Sequence, residues 1–383
     1  MNVEYFRIKE LLEKKWISTV SPSIKLQKDD IKKTGITPVI SQDQEFIMGY
    51  TDFIDEKLMN APYIIFGDHT EVFKYIKAPF VQGADGIKII KVNDLYLHPL
   101  YLYYALKKFY YPTGFYERHF KLLKKVFVPN YKYEKQKKIA KILENYDQLI
   151  ENNNKRIKLL ENMAEEIYKE WFVRFKFPEL NRAKLKKIKL RGWTYGDNKK
   201  ELLIPENWDY GELANLGIFK RGKNITSSEM IEGDIKVISA GLEPSGKHNE
   251  YNVEGYNLTI SASGANAGYL SYHLENIWAA DCSYYDNKEN IWFVYNSLKF
   301  LEPLIRNMQI GSAQPHVYAK NINRIPVIIP SDDLLKKFEL HVTPIYDEIK
   351  LLNNENINLE KQRDSLLPRL MSGILSVEGK EVI

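Results

Sequence analysis

Cysteine is almost absent from this 383-residue sequence, which contains only Cys282. A single cysteine excludes a disulfide framework and a zinc site built from several cysteines. Cys282 lies close in sequence to Trp278 and Tyr284. We expect it to be a buried, neutral thiol rather than a nucleophile.

Long apolar runs are also missing. No stretch of about 18 apolar residues occurs, and the mean hydropathy is −0.40, so we expect no membrane-spanning helix and no membrane partner. Residues 1–5 lack the basic start and the apolar run of a signal peptide. These absences together predict a cytoplasmic protein.

The sequence contains no convincing set of catalytic residues. It has no Pro-Pro pair for a nucleic-acid methylation motif and no HExxH pair for a metal, so we expect neither a metal nor a cofactor in this chain. Gly241–Lys247 has the spacing of a phosphate-binding loop. However, His248 stands where Ser or Thr is needed, and no helix is predicted to follow, which favours a glycine-rich surface loop.

The charge is only mildly basic. The 55 Lys and Arg residues exceed the 50 Asp and Glu residues by five, and the isoelectric point is about 8.7. A domain built only to hold nucleic acid is expected to be more basic than this. Composition alone therefore does not identify a partner.

Two stretches have a helical apolar period of alternating four and three residues, and each is about 40 residues long. A helix of that length spans about 60 Å, more than one small domain can cover, so we expect the two helices to pack on each other. Their stripes contain polar breaks that would fix the register. The residues predicted to pack are Tyr146, Ile150, Asn153, Ile157 and Leu160 in the first helix, and Ile345, Ile349, Leu352, Asn356 and Leu359 in the second.

The chain also repeats itself. Tyr146-Asp147 matches Tyr346-Asp347, and Asn153-Asn154 matches Asn353-Asn354, both at an offset of 200 residues. Before each helix lies a segment of short apolar runs bounded by Gly, Pro, Asn and Asp, which is typical of strands. We read the chain as a duplicated α+β globule followed by a long helix. Predicted strands include 37–40, 63–66, 86–90, 235–238, 258–261 and 291–294.

The predicted organisation has six parts. Two globules, at 1–133 and 204–330, are each followed by a long helix, at 134–178 and 331–375, and the chain ends in a short tail at 376–383. Residues 179–203 form a basic linker, for which a solvated hinge and a phosphate-contacting segment both remain open. Its basic residues are Arg182, Lys184, Lys186, Lys187, Lys189, Arg191, Lys199 and Lys200.

Specific motifs resemble those of a known family. The segments 136–153, 157–164 and 168–175 strongly resemble the central helix of type I restriction–modification specificity subunits. The segment 204–208, Ile-Pro-Glu-Asn-Trp, resembles the opening of their second target-recognition domain, and 363–373 resembles their C-terminal helix end. Looser similarities lie at 220–223, 262–269 and 311–316. The segment 114–119 departs from the pattern of the second half, which implies a differently built set of loops in the first domain.

The resemblance implies a non-catalytic subunit with two target-recognition domains, related by a pseudo-two-fold axis, that each read half of a split site in double-stranded DNA. It implies that the long helices pack as an antiparallel coiled-coil spacer. It further implies docking of two methyltransferase (modification) subunits and then restriction subunits. S-adenosylmethionine, ATP and Mg²⁺ would belong to those partners.

Base reading requires donors and acceptors in loops beside the strands, together with basic residues that contact phosphates. The candidate DNA contacts in the second module are Lys220, Arg221, Lys223, Ser239, Lys247, His248 and Asn266. Those in the first module are Gln42, Gln44, His69, Thr70 and Lys88. Each could instead be an ordinary solvated loop residue.

Two other classes of function remain open on the sequence alone. A coiled-coil scaffold with two protein-binding modules and no DNA role fits the charge of +5 equally well. A self-sufficient DNA enzyme conflicts with the missing motifs. Salt-dependent binding of DNA separates the first alternative from a DNA-reading subunit.

Overall fold

The computed structural model describes residues 4–83, 86–115, 118–177, 184–189, 201–309 and 315–377. The chain forms two compact units. The first comprises Met1–Asn152 with Asn356–Ile383, and the second comprises Asn153–Glu355. Each unit therefore contains part of both long helices.

The helices are mostly short, with two exceptions of 36 and 40 residues. In the described residues they are α1 (Ile8–Glu13), α2 (Pro99–Phe109), α3 (Phe120–Leu123), α4 (Tyr133–Tyr168), α5 (Ile291–Phe300), α6 (Glu302–Asn307), α7 (Ala319–Ile322) and α8 (Asp332–Met371). A π-helical turn, Lys169–Val173, continues α4.

The strands of the first unit are β1 (Tyr5–Arg7), β2 (Ile17–Val20), β3 (Lys25–Leu26), β4 (Thr37–Ile40), β5 (Gly49–Thr51), β6 (Tyr63–Gly67), β7 (Phe73–Ile76), β8 (Val81–Gly83), β9 (Ile87–Val92) and β10 (Phe127–Pro129). Those of the second are β11 (Leu185–Lys189), β12 (Glu201–Pro205), β13 (Asp209–Glu212), β14 (Phe219–Arg221), β15 (Ile235–Ile238), β16 (Gly246–His248), β17 (Asn257–Ser261), β18 (Leu270–His273), β19 (Ile277–Ala279), β20 (Cys282–Tyr285) and β21 (Pro326–Ile329).

The same sheet is built in both units. The first contains an antiparallel sheet in the order β2-β9-β6-β7, and the second contains one in the order β14-β20-β17-β18. A smaller sheet accompanies each, ordered β3-β8-β4-β5 and β16-β15-β19. An antiparallel pair, β1-β10 or β13-β21, precedes each long helix. The repeated strand order confirms the internal duplication.

The central strands have apolar residues on both faces. In β6, Ile64 and Phe66 belong to the cluster that includes α2, whereas Tyr63 and Ile65 belong to a second cluster with Ile40. Alternate residues of a strand point to opposite faces, so a strand covered on both sides requires an unbroken apolar run. This explains why the runs at 63–66 and 258–261 are correctly predicted as strands.

The two long helices contact each other within each unit. In the second unit, Asn153 Nδ2 donates to Glu355 Oε2 at 3.1 Å, and Arg156 Nη2 donates to Glu348 Oε1 at 2.8 Å. In the first, Arg363 Nη1 donates to Asp147 Oδ1 at 2.7 Å. In the second unit the partner numbers fall along α8 as they rise along α4, so the two helix segments run antiparallel there.

The stripe residues of both helices are at least half-buried. Asn153 is 5% exposed and Asn356 is 8% exposed, whereas Leu159, off the stripe, is 67% exposed. A buried polar residue in such a stripe fixes the register at some cost in stability. The other predicted packing residues, Tyr146, Ile150, Ile157, Leu160, Ile345, Ile349, Leu352 and Leu359, are buried or half-buried.

The structure corrects two expectations. The strand predicted over 291–294 is wrong, because Ile291–Phe300 is helix α5, and a fully buried helix has the same unbroken apolar run as a buried strand. The described part of the basic linker is no hinge, since β11 pairs with β12. Arg182, Arg191, Lys199 and Lys200 lie outside the described residues. As expected, no helix follows the phosphate-loop spacing at 241–247, whose last two residues begin strand β16.

Cys282 is buried, as expected. It is 0% exposed, and burial raises the pKa of its thiol to about 12, so the thiol is neutral. None of the described helices is long and apolar enough to cross a membrane.

A carboxyl group from α8 accepts hydrogen bonds at the N-terminus of α5. Glu339 accepts the backbone N–H groups of Phe293 at 2.8 Å and Trp292 at 3.3 Å. It lines a cavity of about 660 Å³ with Glu289 and Asn290. Burial raises the pKa of Glu339 to about 8 and outweighs the two N–H groups, which lower it. In the first unit a neutral side chain has the corresponding role. Gln136 of α4 accepts the backbone N–H of His98, the residue before α2, at 2.8 Å.

We expect Glu339→Gln to remove a pH-dependent loss of stability. Because the folded-state pKa of Glu339 is raised, its protonated form contributes to the stability of the fold. This contribution is fully present below pH 4.5, the ordinary pKa of a glutamate, and is lost as the pH rises through about 8. Glutamine keeps an oxygen acceptor and does not titrate. As the pH rises from about 5 to about 8.5, the thermal unfolding midpoint of the unchanged protein should therefore fall relative to that of the variant. Each kcal/mol of lost stability lowers the midpoint by about 2–4 °C for a unit of this size.

Glu289→Gln is the matched control, because Glu289 is exposed and lines the same cavity. We expect its unfolding midpoint to follow that of the unchanged protein at every pH. A constant difference between Glu339→Gln and the unchanged protein across this range would contradict the assignment.

Candidate nucleic-acid interface

A polar cavity opens at one end of the large sheet of the first unit. It has a volume of about 800 Å³ and lies where β2 and β6 end and β9 begins. Its lining includes basic and amide-bearing side chains and one aspartate: Lys25, Gln42, Asp68, His69, Lys88 and Arg118. Three of the predicted DNA contacts of the first module, Gln42, His69 and Lys88, thus meet in one place.

Hydrogen bonds fix the loops around this cavity. The His69 backbone N–H donates to Gln42 Oε1 at 3.4 Å, and Thr70 Oγ1 donates to the Gln42 carbonyl oxygen at 2.6 Å. Thr70 is exposed beside the cavity. The loop after β4 and the turn after β6 are therefore held together.

Lys88 is held by an acidic and an aromatic neighbour. Its Nζ lies 4.0 Å from Asp68 Oδ2 and 5.6 Å from the centroid of the Phe120 ring. Asp68 also accepts the Phe120 N–H at 2.8 Å. The Lys88 side chain is 41% exposed, so its ammonium group remains accessible to an anion.

The second unit has a basic cluster at the corresponding end of its large sheet. Arg221, the last residue of β14, forms an ion pair with Asp281, and Asp281 also accepts the Ser263 hydroxyl. Lys223 lies two residues further along, with its ammonium group 5.8 Å from the Trp278 ring. Trp278 Nε1 donates to the Lys223 carbonyl at 2.9 Å, which fixes this turn.

The family described as "Type I restriction modification DNA specificity domain" matches residues 1–162 and 205–361. The chain belongs to this family. The two matches are called the first and second specificity domains below, and they confirm both the resemblance and the duplication.

Known proteins similar to this chain include the following two. The specificity subunit of the type I restriction enzyme MjaIX of Methanocaldococcus jannaschii is 28% identical over 244 residues. That match spans 56% of this chain and about half, 53%, of the relative. The type I restriction–modification S subunit of M. genitalium superposes with a TM-score of 0.56 at 20% identity, covering 97% of this chain and 96% of that one. The latter likeness supports the fold.

One predicted contact of the second specificity domain does not fit the structure. His248 is 5% exposed, its Nδ1 accepts the Ile231 N–H at 3.0 Å, and its ring packs edge-on against Trp278. Alternation along β16 explains the error, because Lys247 points outward and His248 therefore points inward. His248 is accordingly removed from the candidate contacts.

The other candidates are spread over the surface. Lys220 pairs with Asp286 at 2.9 Å, and Lys247 pairs with Asp234 at 3.7 Å. Ser239 Oγ lies 3.0 Å from Ser245 Oγ. Gln44 is exposed, and Asn266 is half-buried in the loop after β17. Most of the motif at 311–316 lies outside the described residues.

Sequence reasoning missed three members of the first cluster, Lys25, Asp68 and Arg118. Asp68 could have been found, because it directly follows a buried strand beside His69. Arg118 carries no local signal, since its position depends on contacts made across the fold. Among the described residues, no group of three His, Cys, Asp or Glu side chains is arranged to hold a metal.

Proposed function

We propose that this chain is the non-catalytic, DNA-reading subunit of a type I restriction–modification complex. Each specificity domain reads one half of a split, asymmetric site in double-stranded DNA. The observation that carries the proposal is the repeated placement of basic side chains and hydrogen-bonding partners at the same end of the same sheet in both domains.

The chemistry of the two clusters suits DNA. Arg and Lys pair with phosphates and with guanine, and Gln pairs with adenine through its amide group. Arg221, Lys223, Lys88 and Gln42 supply these groups. Phosphate contacts would set the register of the complex, and the side chains that reach base edges would set its specificity.

The long helices act as the spacer and as the docking surface for partners. Their contacts within each unit support an antiparallel coiled coil between the two half-sites. Large apolar side chains on their exposed faces suit protein partners: Leu159, Met163, Leu340 and Leu351. The partners are two methyltransferase subunits and then restriction subunits, which bring S-adenosylmethionine, ATP and Mg²⁺.

We expect Arg221→Ala to relax the sequence requirement at one half-site. The lost contact should cost about 1–3 kcal/mol of discrimination if Arg221 reads a base, and the methylated motif should become degenerate there. Lys223→Ala should instead weaken binding evenly and reduce the salt slope of affinity by about one. Both are measured with the methyltransferase present, by methylome sequencing and by binding across a salt series.

Lys288→Ala is the matched control. This substitution removes a comparable ion pair, between Lys288 and Glu254 at 2.6 Å. Lys288 lies beyond the C-terminal end of β20, whereas Asp281, the partner of Arg221, precedes its N-terminal end. It should leave motif and affinity unchanged. If Arg221→Ala and Lys223→Ala also change neither, the assignment of these residues is wrong. Absence of any salt-dependent DNA binding by the complex would instead favour the protein scaffold.

A shorter spacer should bring the half-sites closer together. Removing residues 150–156 and 353–359 takes one heptad from each helix while keeping the stripes in phase. At 1.5 Å per residue the spacer shortens by about 10 Å, roughly three base pairs. The methylated motif should have a shorter gap, or methylation should cease. A motif with the original gap would rule out the spacer role.

A further inference from the structure

A carboxylate is buried in the first specificity domain, two residues after His69, which lines the cavity. The Glu71 side chain is 5% exposed and follows the turn after β6. It accepts the Tyr110 hydroxyl at 2.6 Å and the backbone N–H groups of Thr113 at 2.9 Å and Gly114 at 3.2 Å. Burial alone would raise the pKa of Glu71, but these hydrogen bonds and nearby His119 lower it, so the carboxylate is ionised.

The partners of Glu71 belong mainly to one loop. That loop follows α2 and leads to Arg118, which lines the cavity. His119, which is 0% exposed, has Nδ1 3.3 Å from Glu71 Oε1, and its Nε2 donates to the Phe115 carbonyl at 2.7 Å. The His119 N–H also donates to the Asp68 carbonyl at 2.9 Å. Glu71 therefore contacts Thr113 and Gly114, before Arg118, and His119, directly after it.

A buried ammonium group holds the opposite loop. Lys74 in β7 is 3% exposed. Its Nζ donates to the Ser41 carbonyl at 2.9 Å and to the Glu45 carbonyl. Gln42, between these two residues, lines the cavity and accepts from His69. Two buried charges, three residues apart in sequence, thus hold the two loops on either side of one cavity.

Core stability does not account for this arrangement. A buried charge must be paired and hydrogen-bonded to offset its lost hydration, and well-packed apolar residues often serve stability as well or better. Glu71 also has a backbone φ of +58°, which is unfavourable for a residue with a side chain. The hydrogen bonds from these two side chains reach loops rather than other core residues, which indicates that they orient the loops.

We propose that Glu71 and Lys74 are positioning residues that set the base specificity of the first specificity domain by fixing the loops that carry Arg118 and Gln42. This inference rests on the proposed DNA-reading function. Neither residue contacts DNA itself. Glu71→Gln and Lys74→Met remove the charges while nearly preserving volume. Each should leave a folded subunit with a misplaced reading loop.

The test is methylome sequencing of cells that carry the complete system with each variant subunit. Glu71→Gln should lower the preference for the correct base in one half-site by about 5- to 150-fold, the range for one lost base contact. Lys74→Met should relax the same half-site at a different position. Lys88→Ala should affect that half-site too, whereas Arg221→Ala should affect the other one.

Ile90→Val separates positioning from simple destabilisation. Ile90 is 1% exposed in the adjacent strand β9, and its truncation lowers stability without touching either loop. It should lower the thermal midpoint and leave the motif intact. If Glu71→Gln and Lys74→Met behave like Ile90→Val, or if both prevent the subunit from folding, the inference is overturned. If the unchanged protein yields no bipartite motif, the proposed function itself fails.

Discussion

The apolar stripe of each long helix cannot be covered by its own domain, and the rest of the structure follows from this constraint. A helix of 36 or 40 residues gains most of its stability from packing, so each stripe must find a long partner. The partner is the other helix of the chain. As a result, Met371 packs in the core of the first unit, where the Tyr131 hydroxyl donates to its carbonyl at 3.1 Å. The first unit is therefore built from two separate segments of the chain.

Local periodicity made much of the fold predictable. The heptad stripes predicted both helices, and the apolar runs at 37–40 and 63–66 predicted β4 and β6. Periodicity failed where burial is uniform, as at 291–294, because a fully buried helix carries no alternation. It also failed at 185–189, where a lysine-rich segment forms a strand by pairing with Glu201–Pro205. Pairing partners distant in sequence leave no local signal.

The candidate site was predictable only where its residues directly follow or lie in strands. Gln42, His69 and Lys88 meet because the strands that carry them end or begin at one edge of the fold. Arg118 joins them from outside the strands, directly before His119, which lies beside Glu71. A buried Glu or Lys looks like a surface residue in the sequence, since the hydrogen bonds that offset its burial appear only in the folded chain. His248 failed for the opposite reason, because a strand turned it inward.

The duplication shows how one sheet can support two different polar surfaces. In the first domain the Asp68 N–H donates to the Gly86 carbonyl, and in the second the Ala262 N–H donates to the Asp281 carbonyl. The aspartate supplies the N–H of this hydrogen bond in the first domain and the carbonyl oxygen in the second. Its basic partner differs accordingly, being Lys88 in β9 in the first domain and Arg221 in β14 in the second. The backbone ladder is satisfied in both cases, so it does not restrict which strand supplies the charge. Under the proposed function, the two half-sites can therefore diverge in sequence while the sheets and the helices between them remain unchanged.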